Sequence, residues 1–365
     1  RRELDTMGIV MGVAIDKADS EGETELTVQI ARPSGKTKSG GKDGETSEPM
    51  AFVNVTGVGQ NINYIIREMQ HRMSRMLYVA HNQVIVFGEE LAKNGVRDAL
   101  DFFARAPEAR MTLNVFVARG KAKDVLNIKP KFEKVTSAEL LKVLKDQKIT
   151  SHAPIMTEFE FVSTMVSKTT AAVAPIVSIT NEGDEERLTV SGCAVFKNSV
   201  MVGELGENET RGLLYTQNKV KTGVLQLTIM DTPATIEIRH SKSKVTPVLY
   251  TDGKAVFNID VKLKVGIGDQ SGTANLAAPE NASAICDAAE AAVKAEIEGA
   301  VAKSKELNAD VFGFGEYLNR KYPDQWKDMQ ANWDERYRDI TVHVTAEAKG
   351  NGSGRIDRPL VPEGA

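Results

Sequence analysis

Cysteine is scarce. Only Cys193 and Cys286 occur in 365 residues, which excludes a disulfide-stapled scaffold and a four-cysteine zinc site. Long apolar runs are missing as well. None approaches the ~20 residues that a membrane-spanning helix needs, and the longest helix candidate, Ala282 to Lys305, is interrupted by Asp287, Glu290, Lys294, Glu296 and Glu298. There is no excess of positive charge: 46 Lys and Arg stand against 50 Asp and Glu, a net charge of −4. A dedicated nucleic-acid binder normally needs a basic face to neutralise phosphates, so that class is disfavoured. No G-x-S-x-G elbow and no lysine-bearing phosphate loop occur. What is present, 41% hydrophobic and 26% charged residues, is a globular composition, long enough for about two or three domains.

The residue pattern predicts an α+β, multi-domain fold of mixed sheets flanked by helices. Three pieces are expected: an N-terminal α+β domain over 1–120, a helix-rich middle over 121–187, and a C-terminal α+β domain with a long helix over 188–350, followed by a flexible tail over 351–365. Met7–Ile15 and Glu25–Ala31 read as strands, and the Gly-, Ser- and Lys-rich Ser34–Glu48 as a polar excursion. Ile62, Ile65, Ile66, Met69, Met73 and Met76 recur at helical steps, predicting a helix over Asn61–Met76. Glu89–Arg105 reads as one further helix and Gln83–Phe87 as a buried strand. Thr235–Arg239 and Lys244–Leu249 are expected as separate strands. In Ala255–Val265, Phe257, Ile259, Val261 and Leu263 face inward and Lys262 and Lys264 face water. Ile285, Ala289, Val293, Ile297 and Val301 put one apolar stripe on the C-terminal helix, and a second helix is expected over Asp310–Lys321.

The residues that could carry chemistry are dispersed. His71, His81, His152, His240 and His343 lack metal-ligand spacing. Gly57-Val58-Gly59 sits between a strand and a helix, as a dinucleotide-binding turn would, but Ile62 occupies the place of its third glycine. Cys193 and Cys286 lie in apolar contexts and read as small hydrophobes. No catalytic, cofactor-binding or metal-binding set is assigned. Two clusters stand out. Arg105, Glu108 and Arg110 crowd one loop and form the candidate partner contact. Trp326 and Trp333, with Tyr317, Tyr322 and Tyr337, concentrate aromatics near the C-terminus, as a small core or a binding surface.

The order of segments resembles the C-subunit family of bacterial spore germinant receptors, the Ger(x)C lipoproteins. The resemblance runs nearly end to end. It is carried by Arg2-Glu3-Leu4, Leu77–Gly88 (LYVAHNQVIVFG), Glu90–Gly95, the Arg105–Arg110 loop, Gly192–Phe196 (GCAVF) and Val202–Leu205. Glu209–Leu214, Asn308–Glu316 (NADVFGFGE), Tyr322–Trp326 and Trp333 continue it. Ala80, where the family usually has glycine, and the polar Ser34–Glu48 stretch depart from the pattern.

The resemblance implies a non-enzymatic subunit without cofactor. It would be anchored through a lipidated cysteine not present in this chain, on the outer face of the spore inner membrane. Two integral-membrane receptor subunits are the implied partners, and direct nutrient binding is expected of them rather than of this chain. The opening Arg1-Arg2-Glu3, without methionine, is then expected to follow a removed lipoprotein signal. An extracytoplasmic solute-binding lipoprotein is the alternative, requiring two similar lobes and a ligand cleft; a cell-envelope hydrolase would need a nucleophile or metal set.

Overall fold

A computed structural model describes residues 7–32, 50–105, 112–271 and 275–350. The fold is α+β and multi-domain, with two sheets. The chain divides into two compact units, one built from 1–145, 155–165 and 174–202, the other from 146–154, 166–173 and 203–365. The expected middle piece, 121–187, therefore has no unit of its own: most of its strand and helix residues complete the first unit. The Ser34–Glu48 excursion and the 351–365 tail lie outside the described residues.

The first unit is organised on a nine-stranded sheet. β1 (Met7–Lys17), β2 (Thr24–Ala31) and β3 (Phe52–Gly59) form an antiparallel meander. Helix α1 (Ile62–His71) ends at Arg72, short of the predicted Met76, because Met76 begins β4 (Met76–Tyr78), which pairs with β1. β5 (Val84–Phe87) lies parallel to β1. The helix expected over Glu89–Arg105 is two, α2 (Glu89–Asn94) and α3 (Arg97–Arg105). The break falls at Gly95, whose φ of 124° is closed to side chains with a Cβ.

β6 (Asn114–Ala118) runs parallel to β5; α4 (Ala122–Asn127), α5 (Thr136–Thr150) and α6 (Glu158–Met165) follow. β7 (Ala172–Glu182), β8 (Glu185–Lys197) and β9 (Val200–Leu205) finish the sheet, whose order is β3-β2-β1-β5-β6-β7-β8-β9. The hairpin expected around Lys197-Asn198-Ser199 turns on Asn198 and Ser199, with φ of 51° and 70°. Two consecutive positive φ angles match the right-handed twist of the flanking strands.

Gly57 and Gly59 serve packing. A Cβ on Gly57 would lie 2.8 Å from the Ile65 side chain, and one on Gly59 2.9 Å from that of Tyr64, so bare backbone lets α1 lie directly on β3. Asp16, at the end of β1, is buried and accepts the backbone N–H of Ala122 at 2.8 Å and of Lys123 at 2.9 Å, capping α4 from 106 residues away. Burial pushes its carboxyl above the usual range, and those two N–H groups oppose the shift. Removing the cap in Asp16→Ala orphans both donors. We expect the first unit to lose about 1–3 kcal/mol, read as faster hydrogen exchange of the α4 amides.

The second unit includes α7 (Glu207–Thr216) and carries a four-stranded sheet ordered β10 (Gly223–Ile229), β11 (Thr232–Leu249), β12 (Ala255–Gln270) and β13 (Thr341–Gly350). The first three are antiparallel; β13 is parallel to β12, reached through α8 (Ala282–Glu306), α9 (Phe314–Lys321), α10 (Pro323–Met329) and α11 (Trp333–Asp339). The two strands expected within β11 are one. Register shifts at Thr235/Ile236 and Ile238/His240 absorb the interruptions in its alternation. Ile285, Ala289, Val293, Ile297 and Val301 are all buried, as the stripe predicts. The helix expected from Asp310 starts at Phe314, because Gly313 holds a left-handed φ of 70°.

Candidate functional site

Arg105 closes α3 and is exposed. Its Nε donates to Asp101 Oδ2 at 2.7 Å, one helical turn back. Glu108 and Arg110, the rest of the candidate contact, lie outside the described residues.

The remaining sequence-selected residues do not converge. His71 and His81 are exposed, with the His81 ring centroid 5.6 Å from that of Tyr78. His152 Nδ1 lies 3.1 Å from Glu207 Oε1, and burial lowers the imidazole pKa against the opposing pull of Glu207. His240 and His343 are exposed on the four-stranded sheet. Cys193 is fully buried in β8. Cys286 on α8 is half-buried, and burial raises its thiol pKa, the carboxylates of Glu290 and Asp287 adding to the shift; this is the reverse of what activates a nucleophile. Among the described residues no group of three or more His, Cys, Asp or Glu is placed to hold a metal ion, and no helix is long and apolar enough to cross a membrane.

Three buried polar centres escape the residue pattern. Asp310 Oδ1 accepts the Phe314 N–H at 2.9 Å; its Oδ2 accepts the Gly315 N–H at 2.8 Å and the Trp333 indole N–H at 3.1 Å. It thereby starts α9 and ties it to α11. Burial drives its pKa up to about 7 against these donors.

Around Asp310, Phe314 stacks on Phe257 and Phe312, with centroids at 4.3 and 5.0 Å, and Trp326 meets Trp333 edge-on at 5.2 Å. Tyr337 donates to Ser304, which donates to the Ala309 carbonyl. Gly315 leaves room for the indoles: a Cβ there would lie 2.8 Å from Trp326. The aromatic cluster is thus the interior of the second unit, both tryptophans being buried.

Arg211 and Glu296 join α7 to α8, with side chains only 6% and 10% exposed. Arg211 Nε donates to Glu296 Oε2 at 2.9 Å, Nη2 bonds Oε1, and Nη1 donates to the Val224 carbonyl at 3.1 Å. Glu158, in the first turn of α6, is buried with neither carboxylate oxygen bonded among the described residues, and burial raises its pKa to about 7. The visible hints are single charged residues in apolar or small-residue settings, Asp310 in Ala-Asp-Val-Phe-Gly-Phe-Gly and Arg211 in Thr-Arg-Gly-Leu-Leu. The first two centres hold elements together through saturated hydrogen bonding and present no reacting group to a substrate.

The described fold is thus two units, each with an extended sheet and buried polar centres that tie its elements together. Residues 1–179 match the family described as spore germination protein N-terminal domain, and residues 191–354 match spore germination B3/GerAC like, C-terminal. The chain belongs to this family, the Ger(x)C spore germination proteins. It is 26% identical over 383 residues to spore germination protein KC of Bacillus subtilis (strain 168), covering 99% of this chain and 93% of that protein. To spore germination protein B3 of the same organism it is 26% identical, covering 92% and 88%. The crystal structure of the GerBC protein shares the fold, with a TM-score of 0.61, 23% identity and coverage of 93% of this chain and 96% of that one.

Proposed function

We propose that this chain is the non-enzymatic lipoprotein subunit of a nutrient germinant receptor in the spore inner membrane. It acts through protein–protein contacts that assemble or couple two integral-membrane subunits, which detect the nutrient. The observation that carries the reading is the match to both family domains, in order, over residues 1–179 and 191–354. The scaffold character of the buried centres agrees with a role in holding surfaces rather than in turnover. Anchoring through a lipidated cysteine ahead of residue 1 is part of the proposal, as is a partner contact at Arg105, Glu108 and Arg110.

The test is affinity purification of the full-length anchored protein from spore inner membranes, with mass spectrometry of what accompanies it. Polytopic receptor subunits are the expected companions. Reversing the loop charges, Arg105→Glu with Arg110→Glu, should lower their recovery about tenfold or more if the loop is an energetic centre of the interface. Recovery of the chain alone, with a nutrient held tightly by the isolated protein, would overturn the reading in favour of a solute-binding lipoprotein.

A further inference from the structure

The four-stranded sheet has one covered face and one open face. α7, α8 and α9 pack on it, and Ser241, Ser243, Ile259, Val261, Leu263 and Val344 are buried on the covered side. On the open side the register brings three rows together across β11, β12 and β13: Lys244, Asp260 and Thr345; Lys242, Lys262 and Glu347; His240, Lys264 and Lys349. Lys242 stands directly opposite Lys262, and Lys264 directly beside Lys349. All five lysines are exposed, and among the described residues none forms an ion pair, the nearby carboxylates Asp260 and Glu347 included.

Like charges directly opposite one another destabilise a sheet. Here they gather in a chain whose net charge is −4, so the patch is a local feature and not an overflow of basic composition. We propose that this lysine face is a docking surface for an anionic lipid bilayer. Its chemistry selects that partner over an acidic protein. The nine positions include no Trp, Tyr, Phe or large aliphatic side chain to anchor a protein interface. The permanent cations are all lysines, hydrated point charges that suit a diffuse layer of headgroups, with none of the forked guanidiniums that grip single carboxylates or phosphates. A lysine near an anionic bilayer surface adds attraction that salt screens within a Debye length.

The lysine face is tested apart from the receptor reading, on the unanchored chain with no receptor subunit present. The chain is floated with vesicles of phosphatidylglycerol and phosphatidylcholine, and with vesicles of phosphatidylcholine alone. Binding is expected only to the first, and release at about 0.5 M salt, where screening is nearly complete. The triple variant Lys242→Gln, Lys262→Gln, Lys264→Gln should partition on the order of a hundredfold more weakly, while its urea midpoint is no lower than the parent's, since the change relieves like-charge repulsion. The corresponding Lys→Arg triple should bind like the parent. Equal binding to both vesicle types, a folded glutamine variant that binds like the parent, or capture by polyaspartate with none by vesicles would each overturn the proposal.

Discussion

Arg211→Met should destabilise the second unit by about 3–5 kcal/mol, the usual cost of stranding one partner of a buried ion pair. The guanidinium saturates both oxygens of Glu296 and also satisfies the Val224 carbonyl, with almost no solvent reaching either side chain. Removing it leaves a carboxylate at the point where α7 and α8 touch. Glu296 cannot retreat, because the helices are in backbone contact: a Cβ on Gly212 would lie 2.2 Å from the Glu296 carbonyl oxygen. Arg211→Met combined with Glu296→Leu should recover most of the loss, since an apolar pair of similar volume removes the desolvation penalty together with the attraction. Urea unfolding followed by tryptophan fluorescence measures this unit selectively, because both tryptophans, Trp326 and Trp333, belong to it. A single variant within about 1 kcal/mol of the parent would contradict this account of the pair.

Asp310→Ala should cost about 3 kcal/mol or more, because three buried donors, the N–H groups of Phe314 and Gly315 and the Trp333 indole, lose their acceptor together. Asp310→Asn isolates the titration. The folded-state pKa is raised from 3.8 to about 7, so the folded protein keeps a proton that the unfolded chain has already released between those values. The stability this contributes is complete below about pH 4, falls by about 1.4 kcal/mol per pH unit as pH rises towards 7, and is absent above. The parent's tryptophan-detected stability should carry that slope, and Asp310→Asn should flatten it. Glu158 is shifted in the same direction in the first unit, where the tryptophan signal does not register it. A slope equal in parent and Asp310→Asn would remove Asp310 as its source.

Elements whose side chains alternate or repeat over their own length are legible in the amino-acid order itself. Phe257, Ile259, Val261 and Leu263 face inward and Lys262 and Lys264 outward as their spacing requires, and the α8 stripe is buried residue for residue. Where a boundary differs from its expected place, a backbone angle or a pairing decides it. Gly95 splits one expected helix at φ 124°, and Met76 leaves α1 to pair with β1. Of the candidate contact, Arg105 is paired to Asp101, a partner four residues away that the charge pattern of Arg105, Glu108 and Arg110 does not bring forward.

Periodicity by itself determined the α+β class, because it is written in short-range spacing, and the family entered as a resemblance carried by particular segments such as Leu77–Gly88 and Asn308–Glu316. Tertiary structure alone decided the division into two units, since β5, β6 and β7 become sheet neighbours across separations with no local signature. It likewise decided why Asp310 and Arg211 are charged: their partners lie up to 23 and 85 residues away. The lysine face follows the same rule. The alternation of β12 puts Lys262 and Lys264 outward, but Lys242 falls between the two strands expected within β11. Only the register of β11, β12 and β13 therefore sets Lys242, Lys262, Lys264 and Lys349 side by side, and their mutual repulsion exists only once those strands have paired.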